Sequence, residues 1–210
     1  MARMSRRLIL VVAVLVALLL EVVLLASDVL SWRNAMRSGD RQFVRSPAVA
    51  IWRASTVLPS EPSRSLLGLE LPLRFRAAEQ SFDAVQAAGR GYDNGFSEAK
   101  NRGELEAELA GLAQSGDRVI ASEADNLLGI LAFTDSTQSG PIAPAPVDQS
   151  VADFQAAVRL DPSNIDAKFN LELLLRQLLA KGVRPGSNPS AGGPARGHRG
   201  AGGGIPGRGY

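Results

Sequence analysis

The first 26 residues place the strongest constraint on the fold of this chain. Three arginines, Arg3, Arg6 and Arg7, precede nineteen residues, 8–26, in which only Glu21 is not apolar. At a rise of about 1.5 Å per residue, a helix over this run is about 28 Å long, close to the ~30 Å hydrocarbon thickness of a bilayer. A backbone in lipid must satisfy its hydrogen bonds within the segment, so the run can only be helical. We therefore predict a single-pass transmembrane helix in the cell membrane.

Two alternatives concern this run. A cleaved signal peptide has the same basic start and apolar stretch, and would release the rest of the chain. We favour a retained anchor, because the run is long for a signal peptide and no clean small-x-small cleavage site precedes Asp28. The carboxyl group of Glu21 either pairs with another transmembrane helix or lies toward the headgroups, where the free-energy cost of an ionisable group is lower than at the bilayer centre. We favour the position near the headgroups.

Arginines on both sides of the run bear on its orientation. Those at the N-terminus favour a cytoplasmic N-terminus, because basic residues are retained inside. Four more follow the run and compete with them: Arg33, Arg37, Arg41 and Arg45. The N-terminal group lies closer to the membrane, so we predict a cytoplasmic N-terminus and a soluble part outside the cytoplasm.

The composition excludes several kinds of chemistry. The 210 residues contain no Cys and a single His, His198, and the formal net charge is only +2. These counts exclude disulfides and thiolate catalysis, and they argue against a His-based metal site or general base. We expect no metal, no cofactor and no small-molecule substrate, and we predict that the protein is not an enzyme. The alternative is an enzyme that uses only carboxylates and arginines, which a strongly perturbed pKa in a concave pocket would favour.

Apolar residues recur at helical spacing after the anchor, and long strand-like alternation is missing, so we predict an all-α fold. Gly39 is expected to end the first helix, and a further helix is expected between Pro47 and Pro59. The helical stripes consist of Val29, Trp32 and Met36; Phe75, Ala78, Phe82 and Val85; Leu105, Leu109 and Leu112; and Ala124, Leu127, Leu128 and Leu131. Helices this short or narrowly striped must pack on one another to be stable.

The segment 150–178 carries a repeat pattern. Ser150, Phe154, Ala157 and Pro162 have the spacing of the A-x₃-F…P half of a tetratricopeptide repeat, with Ser in place of Ala. Asn164 is the expected N-cap of the next helix. We expect Phe154 to be buried near Leu171, with Phe169 and Leu171 reaching back into the groove beside Phe154. The pair Asn126-Leu127 recurs as Asn170-Leu171, 44 residues later. A tetratricopeptide repeat has about 34 residues, and the additional residues here fall in a Pro- and Gly-rich loop.

The final third resembles the tetratricopeptide-like proteins that accompany MoxR-type AAA+ ATPases and von Willebrand A-domain proteins in bacteria. The resemblance rests on "NLLGILAF", "FQAAVRLDPSNIDAKFNLELLLR" and the closing "GAGGGIPGRGY". It implies one and a half to two repeats in an irregular domain, acting as an adaptor or scaffold for protein partners. The expected organisation is an anchor (1–27), juxtamembrane helices and linker (28–72), a repeat-like helical domain (73–181, with an inserted loop 134–146), and a disordered basic Gly/Pro-rich tail (182–210).

In tetratricopeptide domains the first helix of each pair lines a concave face that holds a partner peptide. The resemblance therefore makes Asn126, Lys168 and Asn170 candidates for partner binding. The alternative is that both asparagines only tie neighbouring helices by hydrogen bonds. The bilayer is the other expected partner, through 8–26. We expect no nucleic acid, because Tyr210 is the only residue of the Arg-Gly tail that could stack on a base.

Overall fold

The computed structural model describes residues 6–59, 61–88, 95–138 and 144–182. Those residues form seven α-helices and one 3₁₀ helix, and contain no strand, so the prediction of an all-α fold with a long apolar N-terminal helix is confirmed. The helices are α1 (Arg6–Arg45), α2 (Pro62–Leu66), α3 (Glu70–Ala88), α4 (Gly95–Ala113), α5 (Arg118–Gln138), α6 (Pro144–Leu160) and α7 (Ile165–Ala180). The 3₁₀ helix is Pro47–Val49.

Helix α1 is continuous over 40 residues. It is long and apolar enough to cross a membrane, and none of its most apolar window is buried in the rest of the fold. It also passes without a break through the expected boundary at 27/28. The prediction that Gly39 ends this helix is wrong. Gly39 instead makes room for an aromatic ring, because a Cβ atom there would lie 2.3 Å from Cδ1 of Trp52.

The predicted helix between Pro47 and Pro59 is also wrong beyond its first turn. After the 3₁₀ helix, residues 50–56 have no regular secondary structure, and the chain turns at 57–59. We call 50–59 the strap, because it runs back along α1 and is held there by side chains. Trp52 Nε1 donates to Asp40 Oδ1, Ser31 Oγ donates to the carbonyl of Ser55, and Asp28 accepts from the backbone N–H of Val57. For the backbone of Ser55 and Val57, these partners on α1 replace hydrogen bonds that a helix would have supplied.

Helices α3 to α6 form two antiparallel hairpins. Arg74 near the start of α3 pairs with Glu108 near the end of α4, at 2.9 Å. In the second hairpin, Ser122 Oγ of α5 donates to the carbonyl of Ala157, and Ser150 Oγ of α6 donates to that of Gly129. Helix α7 then folds back on α6 after a four-residue link. Its first residue follows Asn164, whose side chain accepts from the N–H of Ala167, so the predicted N-cap is confirmed.

Apolar side chains form two core clusters. The predicted stripes of α3, α4 and α5 contribute to the first, whereas the predicted stripe of Val29, Trp32 and Met36 on α1 belongs to neither. The first lies among α3, α4 and α5 and includes Phe75, Ala78, Val85, Leu105, Leu109, Leu112, Ala124 and Leu131. The second includes Val147, Val151, Phe154, Leu174 and Leu178, with Leu171 packed against it. Phe154 is only 2 % exposed, so its predicted burial near Leu171 is confirmed. Phe169 is 61 % exposed, so the prediction that it reaches into the same groove is wrong; the helical period turns it away from Leu171.

The expected inserted loop 134–146 is shorter than predicted. Helix α5 continues to Gln138 and α6 begins at Pro144, where the missing N–H of proline costs no helical hydrogen bond. Residues 139–143 lie outside the described residues. So do residues 183–210, on which the prediction of a disordered basic tail rests.

Candidate functional site

Helices α3, α5 and α7 run parallel to one another on one side of α4 and α6. Asn164, the N-cap of α7, donates from Nδ2 to Ser122 Oγ near the start of α5, at 2.9 Å. Further along the same two helices, Asn170 Nδ2 donates to Asn126 Oδ1, also at 2.9 Å. At the other junction, Phe75 of α3 and Ile120 of α5 share the first core cluster. We call the surface formed by α3, α5 and α7 the parallel face.

The candidate residues Asn126, Lys168 and Asn170 lie on α5 and α7. Asn126 is 8 % exposed, and its side-chain oxygen accepts a hydrogen bond from Asn170. The two asparagines therefore link α5 to α7, as the alternative to partner binding expects. Lys168 is exposed on the first turns of α7. Contact of these three residues with a partner stays a prediction.

A pocket of about 300 Å³ opens where the second half of α1 and the strap meet α3 and α5. We call it the carboxylate pocket. It combines three aromatic rings with three carboxyl groups and one guanidinium group. Its lining consists of Asp40, Phe43, Val44, Trp52, Phe75, Arg76, Glu79 and Glu123. The strap contributes Trp52, which is held by its hydrogen bond to Asp40 and by packing on Gly39.

One ion pair crosses this pocket. Arg76 donates from Nε and Nη2 to the two carboxylate oxygens of Asp40, at 2.7 and 3.0 Å. The hydrogen bond from Arg76 is the largest cause that lowers the pKa of Asp40, and the bond from Trp52 adds to it. The same pairing raises the pKa of Arg76. Asp40 and Arg76 therefore remain charged and join α1 to α3.

Glu79 lies beside this pair on α3. Its pKa is raised to about 7, first by burial and then by the negative charge of Glu123 on α5, while the positive charge of Arg76 opposes both effects. The pKa of Glu123 is also raised, first by burial. Burial and the charge of Glu123 destabilise the charged form of Glu79, so Glu79 exchanges a proton near neutral pH. Chemically, the pocket can accept a cationic group or transfer a proton.

Two further carboxyl groups, of Asp125 on α5 and Asp153 on α6, lie near each other. Burial is the first cause that raises the pKa of Asp125, to about 6, and the charge of Asp153 is the second. The pKa of Asp153 is raised by burial and lowered by a hydrogen bond from Gln149. Among the described residues, no group of three or more His, Asp or Glu side chains could hold a metal ion.

The sequence analysis missed the carboxylate pocket. Asp40, Glu79 and Glu123 are separated by about 40 residues each and belong to three helices, so no local spacing brings them together. In the sequence, Arg74, Arg76 and Glu79 fall outside the apolar stripe of α3, a pattern that is typical of a solvated charged face. The one signal was the position of Glu79 one residue after Ala78, which lies in the apolar stripe of α3, so that Glu79 borders the core.

An open cleft of about 730 Å³ lies between α1 and the strap. Three arginines line it: Arg37 and Arg41 of α1 and Arg53 of the strap. The only carboxylate in its lining, Asp40, is already occupied by Arg76 and Trp52. The cleft is therefore positively charged, in contrast to the carboxylate pocket on the other side of Asp40.

Comparison of this chain with protein-family models, curated proteins and solved structures gives no match.

Proposed function

We propose that this chain is a single-pass membrane protein whose helical domain binds protein partners as an adaptor or scaffold. The observation that carries the proposal is the parallel arrangement of α5 and α7, with α6 antiparallel between them in sequence. The hydrogen bonds Asn164–Ser122 and Asn170–Asn126 join α5 and α7 at two points along their length, in the same chain order on both helices. A tetratricopeptide-like stack places its first-type helices side by side in this way, with the partner on their shared face.

The membrane part of the proposal rests on α1. Its apolar residues from Leu8 to Val23 expose about half or more of their surface, which no other described part of the chain covers. In water this exposure would be costly, whereas lipid covers it. The helix is unbroken through Ser27, and Asp28 binds the strap, so signal cleavage at this point would cut the helix directly before a residue that holds the fold together.

We place the N-terminus in the cytoplasm and the helical domain outside it. The arginine distribution that motivates this orientation follows the rule for short flanks of transmembrane helices. Protease added to intact cells or spheroplasts then degrades the helical domain. Full protection until lysis would reverse the orientation. Carbonate washing leaves the full chain in the membrane pellet, and a soluble form that begins near Ser27 would overturn the anchor.

The resemblance to tetratricopeptide-like proteins suggests the partner class. In that proposal, the partners are membrane-bound von Willebrand A-domain proteins that work with a MoxR-type ATPase. The acidic surroundings of Glu79 and Glu123 support a partner segment that carries a Lys or Arg side chain, since a cation would relieve the repulsion between the two carboxylates.

Site-specific photo-crosslinking tests the binding face. A photoreactive amino acid replaces exposed Lys168 of α7 or exposed Val119 of α5, and exposed Gln155 of α6 is the matched control on the opposite side. We expect one adduct of defined mass from positions 168 and 119 in native membranes, and none from 155. Equal labelling from all three positions, or no adduct at 168 and 119, would contradict the proposal.

A second candidate function is acid–base catalysis, because Glu79 has a pKa of about 7 inside a pocket with an arginine. In this function Glu79 exchanges the proton, and Arg76 holds an anionic substrate group in addition to Asp40. The crosslinking experiment distinguishes the two functions. A protein adduct on the parallel face supports partner binding. Catalysis would instead require a reaction that the Glu79→Gln substitution abolishes without changing the crosslinked adduct.

A further inference from the structure

The strap is held to α1 directly beyond the apolar run. The carboxylate of Asp28, which is 1 % exposed, accepts hydrogen bonds from the N–H of Val57 at 2.7 Å and of Leu58 at 3.0 Å. Asp28 follows Ala26, the last apolar residue of the run, by two positions. These two bonds satisfy the buried carboxylate and fix the position of the end of the strap along the axis of α1.

Helical rise then gives the height of nearby residues above the hydrocarbon. Asp28, and with it Val57, lies about 3 Å beyond Ala26, and Leu30 lies about 6 Å beyond it. The headgroup layer extends about 5–7 Å beyond the hydrocarbon on each side. Leu30 is 58 % exposed and Val57 is 64 % exposed, so two apolar side chains stand uncovered at the level of the headgroups.

We infer that Leu30 and Val57 are seated in the headgroup layer of the bilayer, so that the membrane surface is a second binding partner of the helical domain. This inference rests on the proposed membrane span of α1 and adds a contact outside that span. Lipid is the molecule that covers these two side chains, because Leu30 continues the lipid-facing surface of α1 and Val57 is held at nearly the same height. Burial of both side chains in the interface fixes the height of the strap above the membrane and its rotation about α1.

Charge supports the same seating. Arg33 is exposed on α1, with its Cα about 10 Å beyond Ala26. Side chains on a helix lean toward its N-terminus, which is the direction of the membrane here, so the guanidinium of Arg33 reaches the level of the lipid phosphates. Anionic lipid therefore binds this region more strongly than neutral lipid.

The absence of Cys from the sequence allows a direct depth measurement on the full-length protein. Leu30→Cys and Val57→Cys are each labelled with an environment-sensitive fluorophore and reconstituted into vesicles of phosphatidylcholine and phosphatidylglycerol. A nitroxide quencher is placed on the lipid headgroup or deep in the acyl chain. Val44→Cys is the control, because Val44 is equally apolar, is 85 % exposed and lies about 27 Å beyond Ala26.

We expect headgroup nitroxide to quench the labels at 30 and 57 at least about threefold more than the label at 44, because only the first two lie in the headgroup layer. Quenching at 57 no greater than at 44 would overturn the seating. Asp28→Ala releases the strap and lowers quenching at 57 but not at 30. Equal quenching at 57 with and without Asp28 would overturn its role in placing the strap.

A label at Leu15→Cys, in the middle of the apolar run, separates this inference from the membrane span. Deep acyl-chain nitroxide quenches this label if α1 crosses the bilayer. Quenching at 15 without quenching at 57 overturns the seating alone. No quenching at 15 overturns the proposed membrane span, and the seating with it. Omitting phosphatidylglycerol lowers quenching at 57, and Arg33→Gln abolishes that dependence on anionic lipid.

Discussion

The ring of Phe154 lies so close to Gly129 that a methyl group on Gly129 would stand 2.7 Å from ring carbons Cδ1 and Cε1. Gly129 belongs to α5 and Phe154 to α6, so this contact sets how closely the second hairpin closes. Ser150 Oγ donates to the carbonyl of Gly129 at 2.7 Å and joins the same two turns. Phe154 also shares the second core cluster with Leu174 and Leu178 of α7, so the same ring contacts both neighbouring helices.

Phe154→Ala is expected to lower the free energy of unfolding by about 3–5 kcal/mol, because it removes a fully buried aromatic side chain and leaves a cavity. A domain of this size is stable by only about 5–15 kcal/mol, so the loss is large. Phe169→Ala is the matched control, since Phe169 is 61 % exposed on α7. Urea unfolding of the full-length protein in detergent, followed by circular dichroism, measures both. Similar losses for the two variants would contradict the assignment of Phe154 to the core.

Gly129→Ala is expected to destabilise the protein by about 1–3 kcal/mol, because the added methyl group must displace the Phe154 ring. Gly103→Ala makes the same change on α4, where nothing lies within 4 Å of the new Cβ. There the substitution should stabilise the protein by about 0.5–1 kcal/mol, since alanine loses less entropy than glycine in a helix. Opposite signs in the same unfolding assay are the expected result, and two stabilising substitutions would refute the contact.

Asn170→Ala should cost about 1–3 kcal/mol, because it leaves the buried side-chain oxygen of Asn126 without its donor. Replacing both asparagines with leucine should cost less than either single alanine substitution, since no polar group is then left unpaired. The exposed Asn101→Ala on α4 is the control, with an expected change within about 0.5 kcal/mol. Additive effects of substitutions at 126 and 170 would show that the two side chains do not interact.

Glu79→Gln should change how stability depends on pH. The folded state raises the pKa of Glu79 from 4.5 to about 7, so the folded protein binds this proton more tightly than the unfolded chain. The contribution to stability is complete below about pH 4.5 and is lost as the pH rises to about 7. The variant is therefore expected to exceed the wild type in stability at about pH 8 by about 1 kcal/mol, a value reduced by solvent screening of a partly exposed group.

Thermal unfolding at about pH 5 and about pH 8 measures this difference. Glu104→Gln makes the same chemical change on the exposed surface of α4 and serves as the matched control. If the two substitutions had the same effect at both pH values, burial of Glu79 beside Glu123 would not control its protonation.

The sequence predicted the parts of the fold that depend on local periodicity. The stripe Leu105, Leu109 and Leu112 is buried as expected, and Asn164 caps α7, because both follow from the geometry of a single helix. The burial of Phe154 also followed from spacing. The prediction failed at Gly39 and in the strap. In both places the relevant partner is distant in sequence: the ring of Trp52 for Gly39, and the carboxylate of Asp28 for the backbone of Val57.

By itself, the sequence determined that this protein is helical and that its first helix is apolar enough for lipid. These properties arise from residues within one turn of each other, whose side chains share a face and whose backbone bonds close locally. Only the tertiary structure decided that Asn126 meets Asn170, that Glu79 meets Glu123, and that the strap lies along α1. Each of these pairings joins separate helices or segments, and its energy comes from burial and complementary hydrogen bonds, which no local spacing specifies.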